Sequence, residues 1–129
     1  MVFVLLADDN RATCSALHLL LSARLGVEKI ASTADWPALL ELARAEQPEV
    51  ILFDWELPGG PAPGQLAALR RCAPRASLIA LSARPEARDD ACQSGVEAFI
   101  AKSEPPAQVV AVMERVLQAR LDTDPEPGS

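Results

Sequence analysis

Short apolar runs alternate with amphipathic stretches along nearly the whole chain. Apolar runs of this kind are typical of strands buried on both faces, and they predict strands at 2–7, 50–53, 77–81 and 98–101. A weaker run at 29–32 indicates a short second strand. Apolar positions that repeat every three or four residues predict helices at 11–25, from 36 to the break at 47–48, and at 64–72, 85–94 and 105–121. This alternation predicts an α/β fold: a doubly wound five-stranded parallel sheet covered by helices on both faces, as a three-layer sandwich.

Local sequence features mark several ends of these elements. Gly26 is placed to end the first helix, and Asp35 can cap the start of the second. A Gly- and Pro-rich run at 58–63 predicts a loop before the third helix. Residues 122–129 hold two prolines and three acidic residues, so we expect a domain at 1–121 followed by a disordered tail or the start of a linker.

The composition limits the classes of function. The 129 residues are 50% hydrophobic and carry a net charge of −6, which leaves no basic stripe for nucleic-acid phosphates. The opening apolar run is too short for a signal peptide, and no apolar stretch approaches the roughly 20 residues of a membrane span. Three widely spaced cysteines, an odd number, indicate reduced thiols. We therefore expect a cytoplasmic domain that binds neither nucleic acid nor membranes.

Polar residues that can carry chemistry follow four of the predicted strands. Asp8 and Asp9 end the first strand, Asp54 the third, Ser82 the fourth and Lys102 the fifth. Open α/β sheets bind ligands beyond the carboxyl ends of their strands, where the strand order reverses. With the order 2-1-3-4-5, that point lies between the first and third strands. The acidic positions then flank the crevice, and the serine and lysine line it from the far side.

Together these residue types favour one kind of chemistry. Three carboxylates in one crevice repel one another, so a pKa must rise or a cation must enter. Mg²⁺ suits hard carboxylate oxygens at an open site and accepts phosphate as a further ligand. A carboxylate can attack a phosphoryl group to give an acyl phosphate, while an ammonium and a hydroxyl neutralise the transferred charge. Taken alone, each of these residues could be a helix cap, a turn residue or a solvated lysine. Four strand ends that together supply the residues of one reaction favour a shared site instead.

At these positions the sequence resembles the response regulator receiver family, from its start to about residue 121. The motifs that carry the resemblance are the acidic pair after the first strand, Asp54 followed by Leu57-Pro58, Ser82-Ala83, and Phe99 three positions before Lys102. The resemblance implies a flavodoxin-like sheet in the order 2-1-3-4-5. It also implies a signalling domain, not an enzyme, that assists its own phosphorylation and dephosphorylation.

The family's metal ligands and phosphoacceptor carry over by position. Asp54 would accept the phosphoryl group and would also ligate Mg²⁺. Asp9 and the backbone carbonyl of Glu56 would be direct ligands, and Asp8 would act through water. The resemblance therefore implies Mg²⁺ as the cofactor.

The family's signalling residues carry over in the same way. Ser82 would hydrogen-bond the phosphoryl group and Lys102 would pair with it. Phe99 would be the aromatic switch: as Ser82 moves toward the phosphoryl group, the ring rotates inward and changes the surface of the fourth helix, fifth strand and fifth helix. The implied partners are a sensor histidine kinase or phosphotransfer protein and a downstream effector, and a second copy of the chain is a further candidate.

Several positions depart from the family's pattern. Ser103 stands where proline commonly follows the lysine, so we predict a trans Lys102–Ser103 peptide. The loop after Pro58 has the sequence Gly-Gly-Pro-Ala-Pro and predicts an unusual shape. Glu56 and Arg84 have opposite charges and are expected to pair across the mouth of the site.

Two other classes of function remain open at this stage. One is a receiver-like module that binds a partner without phosphorylation. Ser103 and the unusual loop favour this class, whereas the complete acidic set argues against it. The other is an Mg²⁺-dependent phosphatase. Such an enzyme needs a second acid or base near Asp54, and the sequence positions none there.

Overall fold

Strands and helices alternate along residues 2–123, which are the residues that this computed structural model describes. The strands are β1 (Phe3–Ala7), β2 (Lys29–Thr33), β3 (Val50–Asp54), β4 (Ser77–Ser82) and β5 (Ala98–Ala101). The helices are α1 (Arg11–Leu25), α2 (Trp36–Glu46), α3 (Gln65–Cys72), α4 (Arg88–Gln93) and α5 (Pro106–Thr123), with a 3₁₀ turn at Pro85–Ala87. Within this part of the chain, no helix has both the length and the apolar character that crossing a membrane requires.

All neighbouring strands of the sheet are parallel, in the order β2-β1-β3-β4-β5. This order confirms the predicted fold class. β1 pairs with both β2 and β3, so the strand order reverses beside β1. The register pairs Ala7 with Phe53 and Ser82 with Ala101. It therefore places the residues at the carboxyl ends of β1, β3, β4 and β5 along one edge of the sheet.

An apolar layer covers each face of the sheet because successive strand residues point to opposite sides. In β3, Ile51 and Phe53 pack with buried residues of α2, α3 and α4, whereas Val50 and Leu52 pack with those of α1 and α5. Full burial of one such side chain contributes about 1.5–3 kcal/mol. The two layers therefore hold the strand ends in fixed relative positions.

Most ends of the elements lie within one residue of the predicted positions. The predicted helix at 85–94 is instead the 3₁₀ turn followed by the six-residue α4, and Ala87 and Ala91 supply its buried contacts. α5 continues to Thr123, two residues past the predicted end of the last helix. Residues 124–129 lie outside the described residues, and the disordered tail there stays a prediction.

Candidate functional site

Three carboxylates meet at the carboxyl ends of β1 and β3. One oxygen from each of Asp8, Asp9 and Asp54 lies within 4.8 Å of the others. Asp8 and Asp54 are 4% and 5% exposed, whereas Asp9 is exposed. Carboxylates this close repel one another unless a cation joins them, and their hard oxygens suit Mg²⁺. The donor set therefore fits the predicted metal, while the individual ligand roles, including that of the Glu56 carbonyl, stay predictions.

Lys102 lies against this acidic cluster. Its Nζ is 2.6 Å from Asp8 Oδ2 and 3.2 Å from Asp54 Oδ2. Desolvation lowers the pKa of Lys102, but the hydrogen bond of Asp8 and the charges of Asp54 and Asp8 outweigh it, so the pKa is raised. The ammonium therefore stays charged at neutral pH and balances part of the carboxylate charge. Asp8 has a role beyond the predicted one, because it holds the lysine while its Oδ1 accepts the Asn10 N–H at 2.9 Å.

A turn after β5 positions the lysine. The N–H of Glu104 donates to the carbonyl of Ala101 at 3.0 Å, which places Lys102 and Ser103 at the centre of the turn. The cis peptide among the described residues is Gly60–Pro61, so Lys102–Ser103 is trans, as predicted. The lysine therefore reaches the acidic cluster without a proline at position 103.

Burial and hydrogen bonding act in opposite directions on Asp54. Desolvation raises its pKa above 3.8, while the hydrogen bond from the Glu56 N–H and the charge of Lys102 lower it. The Glu56 N–H donates to Asp54 Oδ1 at 3.0 Å. The Trp55 N–H donates to the Leu81 carbonyl at 2.6 Å and ties the chain after Asp54 to β4. Asp54 is therefore a fixed, partly desolvated carboxyl group at the end of β3.

Ser82 belongs to a hydrogen-bonded group at the mouth of the site. Its Oγ donates to the Glu56 carboxylate, 2.9 Å from Oε1 and 3.0 Å from Oε2, and accepts the Arg84 N–H at 2.9 Å. Arg84 Nη2 pairs with Glu56 Oε2 at 3.1 Å, which confirms the expected ion pair. No local sequence pattern predicts the bond between Ser82 and Glu56. The available sequence feature was that Glu56 and Arg84 each stand two positions after a residue that ends a strand.

Phe99 lies inward in this structure. The side chain is 4% exposed and belongs to the core beneath α4. The guanidinium carbon of Arg88 lies 4.8 Å from the ring centroid, and Arg88 also pairs with Glu104 at 3.0 Å. Phe99 has no hydroxyl that water could hydrate, and this favours the inward position of the ring. The ring therefore already lies inward in this structure, where an inward rotation was expected only on phosphorylation. The role of Phe99 as a switch stays a prediction.

The loop between β3 and α3 packs closely on α2. The Trp36 N–H donates to the Pro58 carbonyl at 2.8 Å, and the Trp36 side chain is buried. A Cβ atom added at Gly60 would lie 2.9 Å from two ring atoms of Trp36, so this position requires glycine. The Gln65 side chain donates to the Gly59 carbonyl at 2.8 Å and closes the loop. The unusual loop sequence therefore has a defined packing role beside the site.

The chain is similar to known proteins along most of its length. The family model for the response regulator receiver domain matches residues 4–114. The chain is 28% identical over 129 residues to the glycerol metabolism activator of Pseudomonas putida, covering 98% of this chain and 58% of that protein. It is 34% identical over 85 residues to a protein-glutamate methylesterase/protein-glutamine glutaminase of Myxococcus xanthus strain DK1622, covering 66% of this chain and 24% of that protein. The chain thus spans less than two thirds of the length of each of these relatives.

Solved structures share the fold. A LuxR-family two-component response regulator from Aurantimonas sp. SI85-9A1 superposes with a TM-score of 0.82 at 23% identity, covering 93% of this chain and 87% of that one. The receiver domain of a sensor histidine kinase from Pseudomonas aeruginosa PAO1 superposes with a TM-score of 0.76 at 23% identity, covering 91% and 98%. That structure has a magnesium ion coordinated in its active-site cleft.

Proposed function

The chain belongs to the response regulator receiver domain family, and from this premise we propose that it takes a phosphoryl group onto Asp54 in an Mg²⁺-dependent reaction. The donor would be the phosphohistidine of a sensor histidine kinase or of a phosphotransfer protein. The output would be a change in the surface formed by α4, β5 and α5. The domain would thus be a signalling element that assists its own phosphorylation and dephosphorylation rather than an enzyme.

One observation carries this proposal. Asp54 is a 5% exposed carboxylate that lies in one cluster with Asp8 and Asp9 and within 3.2 Å of the Lys102 ammonium. Burial disfavours the ionised form of Asp54, and the ammonium and the Glu56 N–H favour it. A carboxylate nucleophile that is held in place next to a cation is suited to attack on an anionic phosphoryl group.

The reaction would form an oxygen–phosphorus bond at Asp54 and break the phosphorus–nitrogen bond of phosphohistidine. The phosphohistidine ring, protonated at its other nitrogen, would take the bonding electron pair and leave as neutral imidazole, and the phosphoryl group would move with its charge to Asp54. Mg²⁺, held by Asp9 and Asp54 with Asp8 in support, would supply positive charge for the phosphoryl oxygens. Lys102 would release Asp54 Oδ2 and pair with the transferred group, while Asp8 keeps the lysine beside the site.

Ser82 would couple the site to the surface. Its hydroxyl proton lies in the bond to Glu56, so a bond to a phosphoryl oxygen requires Ser82 to leave that carboxylate. This exchange changes the neighbours of Glu56 and Arg84 at the start of the segment that leads to α4. We propose that this local exchange and the Phe99 side chain together link phosphorylation to α4 and β5.

A groove beside Lys102 supports a protein as the phosphoryl donor. The groove of about 620 Å³ lies between α1 and the start of α5, and Lys102 lies at its edge. Its lining is mainly apolar, with Leu17, Leu20 and Val109 among the lining residues, and Leu19 is 71% exposed. An exposed apolar groove is typical of a surface that receives the apolar face of a partner helix. A donor docked here would bring its phosphohistidine next to the acidic cluster.

The location of the domain follows from the same proposal. The three cysteines are free thiols, as expected in a reducing compartment. We therefore propose that the domain acts in the cytoplasm and passes its signal to a downstream effector.

Phosphorylation by a small donor tests the proposal directly. The protein is incubated with acetyl phosphate, with Mg²⁺ or with a chelator, and intact mass is measured for the wild type, Asp54→Asn and the control Asp89→Asn. Asp89 is exposed on α4 and lies outside the cluster. We expect one phosphoryl adduct in the wild type and the control, only with Mg²⁺, and none in Asp54→Asn.

Two results would contradict the proposal. An unchanged mass in the wild type with Mg²⁺ would favour a module that works without phosphorylation. Continuous release of phosphate from acetyl phosphate without an adduct would favour an Mg²⁺-dependent phosphatase.

A further inference from the structure

An ion pair outside the acidic cluster joins α4 to the turn that follows β5. Arg88 is the first residue of α4, and its Nη2 lies 3.0 Å from Oε1 of Glu104. Its guanidinium carbon also lies 4.8 Å from the ring centroid of Phe99 in β5. Glu104 is the last residue of the turn that has Lys102 and Ser103 at its centre. The pair of Arg88 and Glu104, here called the clasp, therefore connects α4 to the turn of the site lysine.

The turn itself is only partly fixed by backbone hydrogen bonds. The Lys102 N–H donates to the Ser82 carbonyl at 2.8 Å, so the pairing of β4 with β5 fixes the backbone up to this amide. Beyond it, the Glu104 N–H donates to the Ala101 carbonyl at 3.0 Å and closes the turn. Ser103 is exposed and, unlike proline, has no ring that restricts φ. The direction in which the Lys102 side chain leaves the turn therefore depends on what holds Glu104.

The Glu104 carboxylate depends on Arg88 for its charge balance. Its side chain is 21% exposed, and Oε2 is buried without a hydrogen-bond partner among residues 2–123. A largely buried carboxylate is costly unless a cation or a donor compensates it, and Arg88 donates to Oε1. Without Arg88 the carboxylate would gain free energy by moving toward water. Such a movement would displace the end of the turn and change the direction of the lysine.

From these contacts we propose that Arg88 and Glu104 are positioning residues for Lys102. The ion pair holds the turn so that the ammonium stays between Asp8 and Asp54, 2.6 Å and 3.2 Å from their carboxylate oxygens. Because Arg88 begins α4, the same contact makes the position of the lysine depend on the position of this helix. The role of Lys102 in phosphorylation rests on the proposed function, but its placement by the clasp does not.

A second ion pair of the chain supplies a matched control. Lys29 pairs with Glu46 at 3.3 Å, and its Nζ lies 4.4 Å from the ring centroid of Phe3. The cation thus makes the same two kinds of contact as Arg88 does. This pair joins the start of β2 to the end of α2, at the opposite edge of the sheet from β5. Its loss should therefore leave the turn of Lys102 unchanged.

Acetylation of the lysines tests the inference without phosphorylation. The chain has two lysines, Lys29 and Lys102, so timed reaction with an N-hydroxysuccinimide ester and peptide mapping measure Lys102 against an internal reference. We expect Lys102 to react about three- to fivefold faster in Arg88→Met and in Glu104→Gln, with Lys29 unchanged. The double variant should react no faster than either single variant, because both substitutions remove one contact. The control Glu46→Gln should leave the rate at Lys102 as in the wild type.

Phosphorylation by acetyl phosphate with Mg²⁺ is the second arm. Both single variants should take up the phosphoryl group about three- to fivefold more slowly than the wild type, and Glu46→Gln should not. Wild-type phosphorylation rates despite faster acetylation would contradict the proposed role of Lys102 but not its placement by the clasp. The inference is overturned if Lys102 is acetylated at the wild-type rate in both single variants, if Lys29 accelerates as much as Lys102, or if the double variant shows the product of the two single effects.

Discussion

Ser82 Oγ lies 2.9 Å from Glu56 Oε1, so the hydroxyl proposed to bind the phosphoryl group already donates to a carboxylate of the same chain. Ser82 is fully buried, whereas the Glu56 side chain is 36% exposed. The bond therefore joins a fixed residue to a more mobile one. In the proposed mechanism phosphorylation would break this bond, and Glu56 would compete for the Ser82 proton.

Removal of this competitor should speed phosphorylation. We expect Glu56→Ala to take up the phosphoryl group from acetyl phosphate about three- to tenfold faster, which corresponds to the net contribution of roughly 1 kcal/mol from one hydrogen bond. In a Ser82→Ala background the same change should have a smaller effect, because the shared bond is already absent. Equal rate ratios in the two backgrounds, measured by intact mass over time, would show that Glu56 acts through its charge alone.

Loss of Lys102 should destabilise the fold through the acidic cluster. Lys102→Met leaves Asp8 and Asp54 buried without their ammonium partner, and we expect the free energy of unfolding to fall by about 2 kcal/mol. Lys29→Met is the matched control, because Lys29 pairs with Glu46 at an exposed site and should cost less than about 0.5 kcal/mol. Urea unfolding measures both values. Mg²⁺ should restore part of the loss in Lys102→Met, and equal effects of the two variants would contradict this assignment.

The raised pKa of Asp54 predicts a pH-dependent stability difference. Because burial raises the pKa in the folded state above 3.8, folding favours the protonated carboxyl, and its stabilising contribution is lost as the pH rises through the folded pKa. Asn at position 54 does not titrate. The free energy of unfolding of Asp54→Asn relative to the wild type should therefore increase between about pH 4 and pH 7. A difference that stays constant or decreases over this range, measured by urea unfolding without Mg²⁺, would contradict the raised pKa.

Cys14 offers a reporter of metal binding that does not depend on phosphorylation. Desolvation and the charge of Asp8 raise the pKa of its thiol above 9.0, with a smaller contribution from Asp9, and the Sγ donates to the Asp8 carbonyl at 3.4 Å. We expect iodoacetamide to modify Cys14 more slowly than the exposed Cys92. Mg²⁺ at the acidic cluster would offset the carboxylate charge and speed the reaction of Cys14 but not that of Cys92.

Peptide mapping after timed alkylation measures the two cysteines separately. Asp9→Asn should reduce the effect of Mg²⁺ on Cys14. An effect of Mg²⁺ on both cysteines to the same degree would indicate a general ionic effect instead of a site beside Cys14.

Docking of a phosphoryl donor should depend on Leu19. Leu19→Glu places a charge in the apolar groove, and we expect it to slow phosphotransfer from a donor protein by about tenfold. Phosphorylation by acetyl phosphate needs no docking and should not change. Leu121→Glu is the control, because Leu121 is 73% exposed and lies outside the groove. Equal rates of phosphotransfer for the two variants would exclude the groove as the docking surface.

A cleft between α4 and α5 that is lined by five arginines shows what a linear sequence conceals. Its arginines come from α3, the loop before β4, α4 and α5, so no window of the sequence contains a basic run. The net charge of −6 also predicts no basic surface, although five arginines gather at one place. The overall charge is a sum over the chain, and it carries no information on where the fold collects like charges.

The sequence alone determined the alternation of elements, the parallel sheet and the residues at its carboxyl edge. These features depend on consecutive residues: apolar runs define strands, and each candidate site residue at that edge ends its strand or follows it within two positions. The tertiary structure alone decided the partners of those residues, such as Glu56 for Ser82, 26 positions away, and Asp54 for Lys102, 48 positions away. Contacts at such separations depend on strand register, side-chain rotamers and turn geometry. Those are set when the whole core packs, and no local pattern encodes them.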